Sequence, residues 1–158
     1  MPSHRFVHRE LVQFSDTDMA GIMHFANFFR FMERAEHAFF RSLGFSVMDS
    51  AVPREERVGW PRVHASCDYL SPLRFEDEVE IEVLIEEIRT RSLRYLFRVR
   101  KKDGTLCAEG RIAIVCTRKD KATGQMKAVE IPPRIRESIE AAAPELLKSA
   151  RPDATRSS

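Results

Sequence analysis

Between residues 27 and 43, Phe28, Phe31, Met32, Ala35, Phe39 and Leu43 recur at the i, i+3/i+4 spacing of one helix face. At about 100° per residue, Phe29 and Phe40 fall on a flank of that face and widen its apolar arc to roughly half the circumference. Arg30, Glu33, Arg34, His37 and Arg41 occupy the remaining arc. Such a wide apolar arc predicts a helix over Asn27–Leu43 wrapped by a sheet, not one resting on a surface. Gly44 follows as the expected C-cap, where glycine takes positive φ without strain.

The second half of the chain changes period from 3.6 to 2. "EVEIEVLIEEI" sets Val79, Ile81, Val83 and Ile85 against Glu78, Glu80 and Glu82, with Leu84 the one apolar exception on the acidic face. "SLRYLFRVR" sets Leu93, Tyr95, Phe97 and Val99 against Arg94, Arg98 and Arg100. An acidic strand followed by a basic one predicts cross-strand ion pairs that help set register. Asp103-Gly104 supplies a two-residue hairpin turn into "TLCAEGRIAIVCT". "RFVHRELVQF" reads as the first strand, "GWPRVHASCDYL" as an earlier one and "GQMKAVEIP" as a short last one. Pro132-Pro133 opens a C-terminal helix, "RIRESIEAAAPELLKS", interrupted by Pro144. The tail "ARPDATRSS" reads as disordered.

The order is therefore strand, helix, then four or five antiparallel strands. This is an α+β class with one long central helix wrapped by a curved antiparallel sheet of five or six strands. With no internal repeat or dividing linker, a single domain is expected over 1–140, with a helix end and tail over 141–158. An open sheet has edges, and pairing them across a two-fold axis removes that liability, so a homo-oligomer, dimer or tetramer, is expected.

Composition narrows the function classes. A formal net charge of +2 gives no reason to expect wholesale nucleic-acid binding. Cys67, Cys107 and Cys116 form no CxxC pair and read as reduced core thiols, which favours the cytoplasm. "MPSHRFVHRE" has no apolar signal region, and no apolar run is long enough to span a membrane. No Cys/His cluster has metal-ligand spacing, and no P-loop, GxGxxG run or GxSxG elbow is present. No metal or organic cofactor is expected.

The remaining chemistry concentrates in residues 14–34, "FSDTDMAGIMHFANFFRFMER". Asp16 and Thr17 fit a capping loop, and spacing alone favours that reading for both acids. Asn27, however, lies closer to the start of the helical periodicity, and Asp18 sits nine residues upstream with no obvious cap to make. A carboxylate facing a helix N-terminus can address an electrophile whose carbonyl oxygen is polarised by free N–H groups, the arrangement acyl transfer needs.

This segment resembles the signature of acyl-CoA thioesterases of the 4-hydroxybenzoyl-CoA thioesterase type, which have the hotdog fold. The resemblance runs from about residue 5 to 135, through "PRVHASCDYLSPLRFEDEVEI" and "RTRSL". It implies that Asp18 is the catalytic carboxylate, acting as nucleophile or as general base for water. It implies the Phe25 backbone N–H as oxyanion donor, Gly21 as the loop glycine, and Arg89, Arg91 and Ser92 as contacts to CoA. It also implies a site built between two subunits. Some family members carry an aromatic residue followed by His after the glycine; here His24 precedes Phe25, and His24 is kept as a pocket residue. Met23, Phe25, Phe28 and Phe29 are candidates for an acyl pocket.

Glu36 is the rival carboxylate. It falls inside the apolar arc, where an unpaired charge is costly, and a related hotdog branch uses a helix-borne glutamate. The alternative is that Glu36 pairs with an Arg or His from a strand. Arg62 and His64 share one face of the predicted strand and are placed to reach the site. The expected substrate is an acyl-CoA or an acyl carrier protein thioester. The competing readings are a hotdog module that binds without turnover, and a hotdog dehydratase, whose His-bearing signature is not found.

Overall fold

In the computed structural model, which describes residues 1–151, the long helix α1 spans Asn27–Ser42 and lies against one sheet. The strands are β1 (Arg5–Leu11), β2 (Arg62–Tyr69), β3 (Glu78–Ile88), β4 (Ser92–Lys101) and β5 (Leu106–Val115), all antiparallel in the order β1-β3-β4-β5-β2. Residues 152–158 of the expected disordered tail lie outside the described residues.

The alternation read from the sequence sets the two sheet faces. Val83, Phe97 and Gly110 share one register row, as do Ile85, Tyr95 and Ile112, and the side chains of Val83, Phe97, Ile85, Tyr95 and Ile112 meet Phe28, Phe31, Met32, Ala35 and Phe39 of α1 in one core. Met32 of α1 packs directly over Gly110, where an added Cβ would lie 2.6 Å from Met32 Sδ and 3.1 Å from the Ser66 carbonyl. Gly110→Ala is therefore expected to cost about 1–3 kcal/mol by overpacking, read as a lower urea midpoint; truncating Met32 in the same chain should recover part of it. Gly44 ends α1 with φ +86°.

On the opposite face, Glu82 receives Arg5 at 2.6 Å and Arg100 at 3.1 Å, and Arg98 reaches both Glu82 and Glu109. The expected ion pairing is present, and it extends over four strands. Leu84 and Leu96, the apolar exceptions on this face, are covered by Ala142 and Leu147 of the C-terminal segment.

That segment departs from the sequence reading. The helix expected over 134–149, interrupted at Pro144, is reduced to two single turns, α2 (Pro133–Arg136) and α3 (Pro144–Leu147). Between them the chain runs extended, giving the Glu140 N–H to Ser3 O and the Ala142 N–H to Ile85 O. The residue before a proline avoids the helical region, and Ala143 sits at φ −60°, ψ 144°. Pairing with the sheet edge and burying Ala142 outweigh the helix propensity of the alanines.

Two smaller differences concern strand ends. Lys101 N–H bonds the Thr105 carbonyl, so the β4–β5 loop holds three residues, with Gly104 at φ +93° completing it. The run expected to continue to Thr117 breaks at Cys116. Thr117–Lys119 (β6) then pairs with Met126–Ala128 (β7) as a separate ribbon, and the main sheet has five strands. All three cysteine thiols are free, and burial pushes those of Cys67 and Cys116 up to about 11. Among the described residues no helix is long and apolar enough to cross a membrane.

Candidate active site

The two acids of residues 14–18 do different work. Asp16 accepts the Gln13 N–H at 2.8 Å, closing a 3-10 turn over Phe14–Asp16, and its carbonyl receives the His24 N–H and the Asn27 side-chain amide. It caps its own turn and ties that turn to α1. Asp18 opens a small hairpin: its N–H bonds Ile22 O, its carbonyl receives the Gly21 N–H, and Gly21 turns the chain at φ +78°. The Met23 N–H anchors the hairpin to Leu73 O at 2.7 Å.

Within the Asp18 carboxylate the oxygens are also unequal. Oδ1 accepts the Ala20 N–H at 2.8 Å, a local turn bond that fixes the side chain. Oδ2 lies 3.3 Å from His24 Nδ1, and Asp18 is one of the residues lining a cleft of about 480 Å³. Met23, Phe25 and Phe28 line this cleft with Tyr69 and Pro72. Phe29, the fourth acyl-pocket candidate, packs on the core instead.

The helix end beside Asp18 is uncapped. Ala26 at the N-cap makes no side-chain cap bond, and the first turn carries no acid. Among the described residues the N–H groups of Phe25 and Ala26 donate to no carbonyl or side chain, while the next, that of Asn27, bonds His24 O. A helix N-terminus with unspent donors is electropositive and suits an oxyanion. The structure thus brings Asp18, Gly21, His24 and Phe25 together. His24 stands beside the carboxylate with its ring 4.7 Å from that of Phe25, and it is not part of the cleft wall.

Glu36 has a structural partner. Buried on α1 at 1% exposure, it receives Arg62 through two bonds of 3.1 and 3.2 Å. Burial pushes its carboxyl up, and the Arg62 charge and hydrogen bonds pull it back only in part. A bulge between Arg62 and His64 separates the two residues that were expected to share a face. Arg62 pairs in register with inward Ile114, and His64 with Ala113 on the opposite face. Neither residue lines the Asp18 cleft.

Arg89 and Arg91 lie in the turn between β3 and β4, and Ser92 is the first residue of β4. In register, Tyr69 lies level with Ala108 and Val99, while Ser92 is level with Val115. Seven residues of strand at about 3.3 Å each separate the two levels, roughly 23 Å. Within one chain these basic residues do not reach Asp18. Sequence reasoning assigned no role to Tyr69, Leu70 or Pro72, although they build one wall of the cleft; the only signal was an aromatic residue and a proline closing an edge strand.

A family model, the thioesterase-like superfamily, matches residues 12–139. The chain belongs to that superfamily. It is 34% identical to a putative esterase of Aquifex aeolicus (strain VF5) over 62% of this chain and 74% of that protein. To the acyl-CoA thioester hydrolase YbgC of Escherichia coli O157:H7 it is 30% identical, over 66% and 76%. Among solved structures, a gentisyl-coenzyme A thioesterase superposes with a TM-score of 0.71 at 30% identity, covering 85% of this chain and 98% of that one. The 4-hydroxybenzoyl CoA thioesterase from Pseudomonas sp. strain CBS-3 gives 0.76 at 23% identity, covering 85% and 99%, a likeness of fold. The α+β architecture of the superfamily member is thus the expected hotdog, a helix held in one antiparallel sheet.

Proposed function

We propose that this thioesterase-superfamily protein hydrolyses acyl-CoA thioesters to a free acid and CoA in the cleft beside Asp18. The observation that carries the reading is the meeting, on one apolar cleft, of a carboxylate and a helix N-terminus with unspent N–H groups. The thioester carbonyl lies with its oxygen toward the Phe25 N–H. Attack at its carbon comes either from Asp18, releasing CoA thiolate and leaving a mixed anhydride that water opens, or from water whose proton Asp18 takes. Either route builds negative charge on the same oxygen, where a preorganised N–H is most effective.

Arg89, Arg91 and Ser92 act across subunits in this reading. β2 is an edge strand with Val63, Tyr69 and Leu70 exposed nearby. Antiparallel pairing of two β2 strands about a two-fold axis reverses the second sheet, and its β3–β4 turn then lies at the end where Asp18 lies in the first. The basic turn meets the CoA phosphates there. Replacing Arg89 and Arg91 with Gln is expected to raise KM for acyl-CoA several-fold with kcat little changed. The difference should shrink at high salt in steady-state assays.

The test of the function is thiol release across acyl-CoAs with aromatic, short and long acyl groups, with matching acyl carrier protein thioesters alongside. Turnover of at least one CoA thioester is expected. Stoichiometric binding without release would instead make the protein a non-catalytic acyl-CoA module.

A further inference from the structure

Tyr69, the last residue of β2, donates its phenol O–H to the carbonyl of Phe25 at 3.0 Å. Its ring meets those of Phe25 and Phe28 edge-on, at 87° and 86°, with centroids 6.4 and 5.1 Å apart. The Phe28 N–H reaches the same carbonyl only at 3.4 Å. The Phe25 carbonyl is therefore held more tightly by a side chain from the sheet edge than by the Phe28 N–H.

The bonded carbonyl has a particular place in the chain. The Phe25 C=O and the Ala26 N–H belong to one peptide plane, and the Phe25 N–H belongs to the plane before it. Fixing the carbonyl therefore fixes the direction of the Ala26 N–H and limits the swing of the Phe25 N–H. A bond accepted at the carbonyl also polarises the amide and makes the Ala26 N–H a stronger donor. A uniform structural role does not call for a hydroxyl at this point, because Phe25 is 61% exposed and lines the open cleft.

We propose that Tyr69 is a positioning residue for thioester hydrolysis: its hydroxyl holds the Phe25–Ala26 peptide so that both unspent N–H groups converge on the thioester oxygen. This rests on the reading of Asp18 and the helix entrance as the reacting centre. Misaligning oxyanion donors, without removing them, predicts a loss of about 10- to 100-fold, below the roughly 10²–10³-fold for deleting one donor outright. Burial and the neighbouring Cys67 push the Tyr69 phenol up to about 12, so it remains a donor throughout any practical assay range.

The experiment compares Tyr69→Phe, Asp18→Asn and the double variant on one hydrolysed acyl-CoA, reading kcat, KM and thermal midpoint. Tyr69→Phe keeps the aromatic wall and removes only the donor. The expected result is a kcat about 10- to 100-fold lower, with KM within about two-fold and the midpoint unchanged within a few degrees. In the double variant, little further loss beyond Asp18→Asn is expected, because the two act on one step. Wild-type kcat in Tyr69→Phe, or a fall matched by KM or by the thermal midpoint, overturns the positioning role while Asp18→Asn still reports the site. Full activity in Asp18→Asn overturns the site itself and this inference with it.

Discussion

Asp18→Asn is expected to lower the rate of CoA release by about 100-fold or more while leaving the fold and KM nearly unchanged. The expectation follows from the division of labour within the carboxylate. The oxygen that accepts the Ala20 N–H keeps its bond in asparagine, so the hairpin through Gly21 is retained. What is lost is the anionic oxygen beside the cleft, and an amide can neither attack a thioester nor take a proton from water. Glu36→Gln is the matched control. That carboxylate is enclosed at 1% exposure against Arg62, outside the Asp18 cleft, and its loss should leave kcat within a few-fold. Normal turnover in Asp18→Asn together with loss in Glu36→Gln would move the reacting centre to the middle of α1.

Arg62→Met is expected to destabilise the fold by about 3 kcal/mol, because it strands Glu36 as an uncompensated buried charge. The Arg62 guanidinium is the only donor bound to that carboxylate among the described residues; His37 Nε2 stands off at 3.9 Å. The pH dependence has a definite sign. The Glu36 carboxyl already titrates above its usual value, chiefly through burial, and removing Arg62 raises it further. The folded state then holds more protons than the unfolded one between the usual glutamate value and the raised one. Stability on this group's account therefore falls as pH rises through that window. Urea midpoints should show a larger Arg62→Met deficit at pH 8 than at pH 5, and Glu36→Gln in the same chain should recover part of it. An equal deficit at both pH values would mean that lost packing, not the stranded charge, is responsible.

These two carboxylates show how far local reasoning reaches. Both stand out in the sequence, one in a loop before a helix and one inside an apolar arc, and periodicity alone cannot assign either. The resemblance to thioesterases separates their expected roles. The structure supplies what distinguishes them physically: Glu36 meets a guanidinium 26 residues away, and Asp18 lines one cleft with Phe25, beside an uncapped helix end. Tyr69 was invisible for the same reason. Its bond to Phe25 spans 44 residues and leaves no spacing signature. The C-terminal helix failed because an alanine-rich run has intrinsic helix propensity, while the edge of β3 offers its N–H groups a partner that the sequence does not announce.

What the sequence determines by itself is the identity and facing of α1 and of β3 to β5. Helix and strand periods of 3.6 and 2 are properties of neighbouring residues, so each side chain's direction is written locally. It also determines that Asp18, Gly21, His24 and Phe25 lie in one short loop. Only the tertiary structure decides that Arg62 and His64 part across a bulge, that Tyr69 closes the cleft, and that the Arg89–Ser92 turn lies some seven strand residues from the level of Tyr69 within one chain. Those outcomes depend on strand register and on contacts between distant segments, which many weak packing terms settle together and which no local pattern encodes.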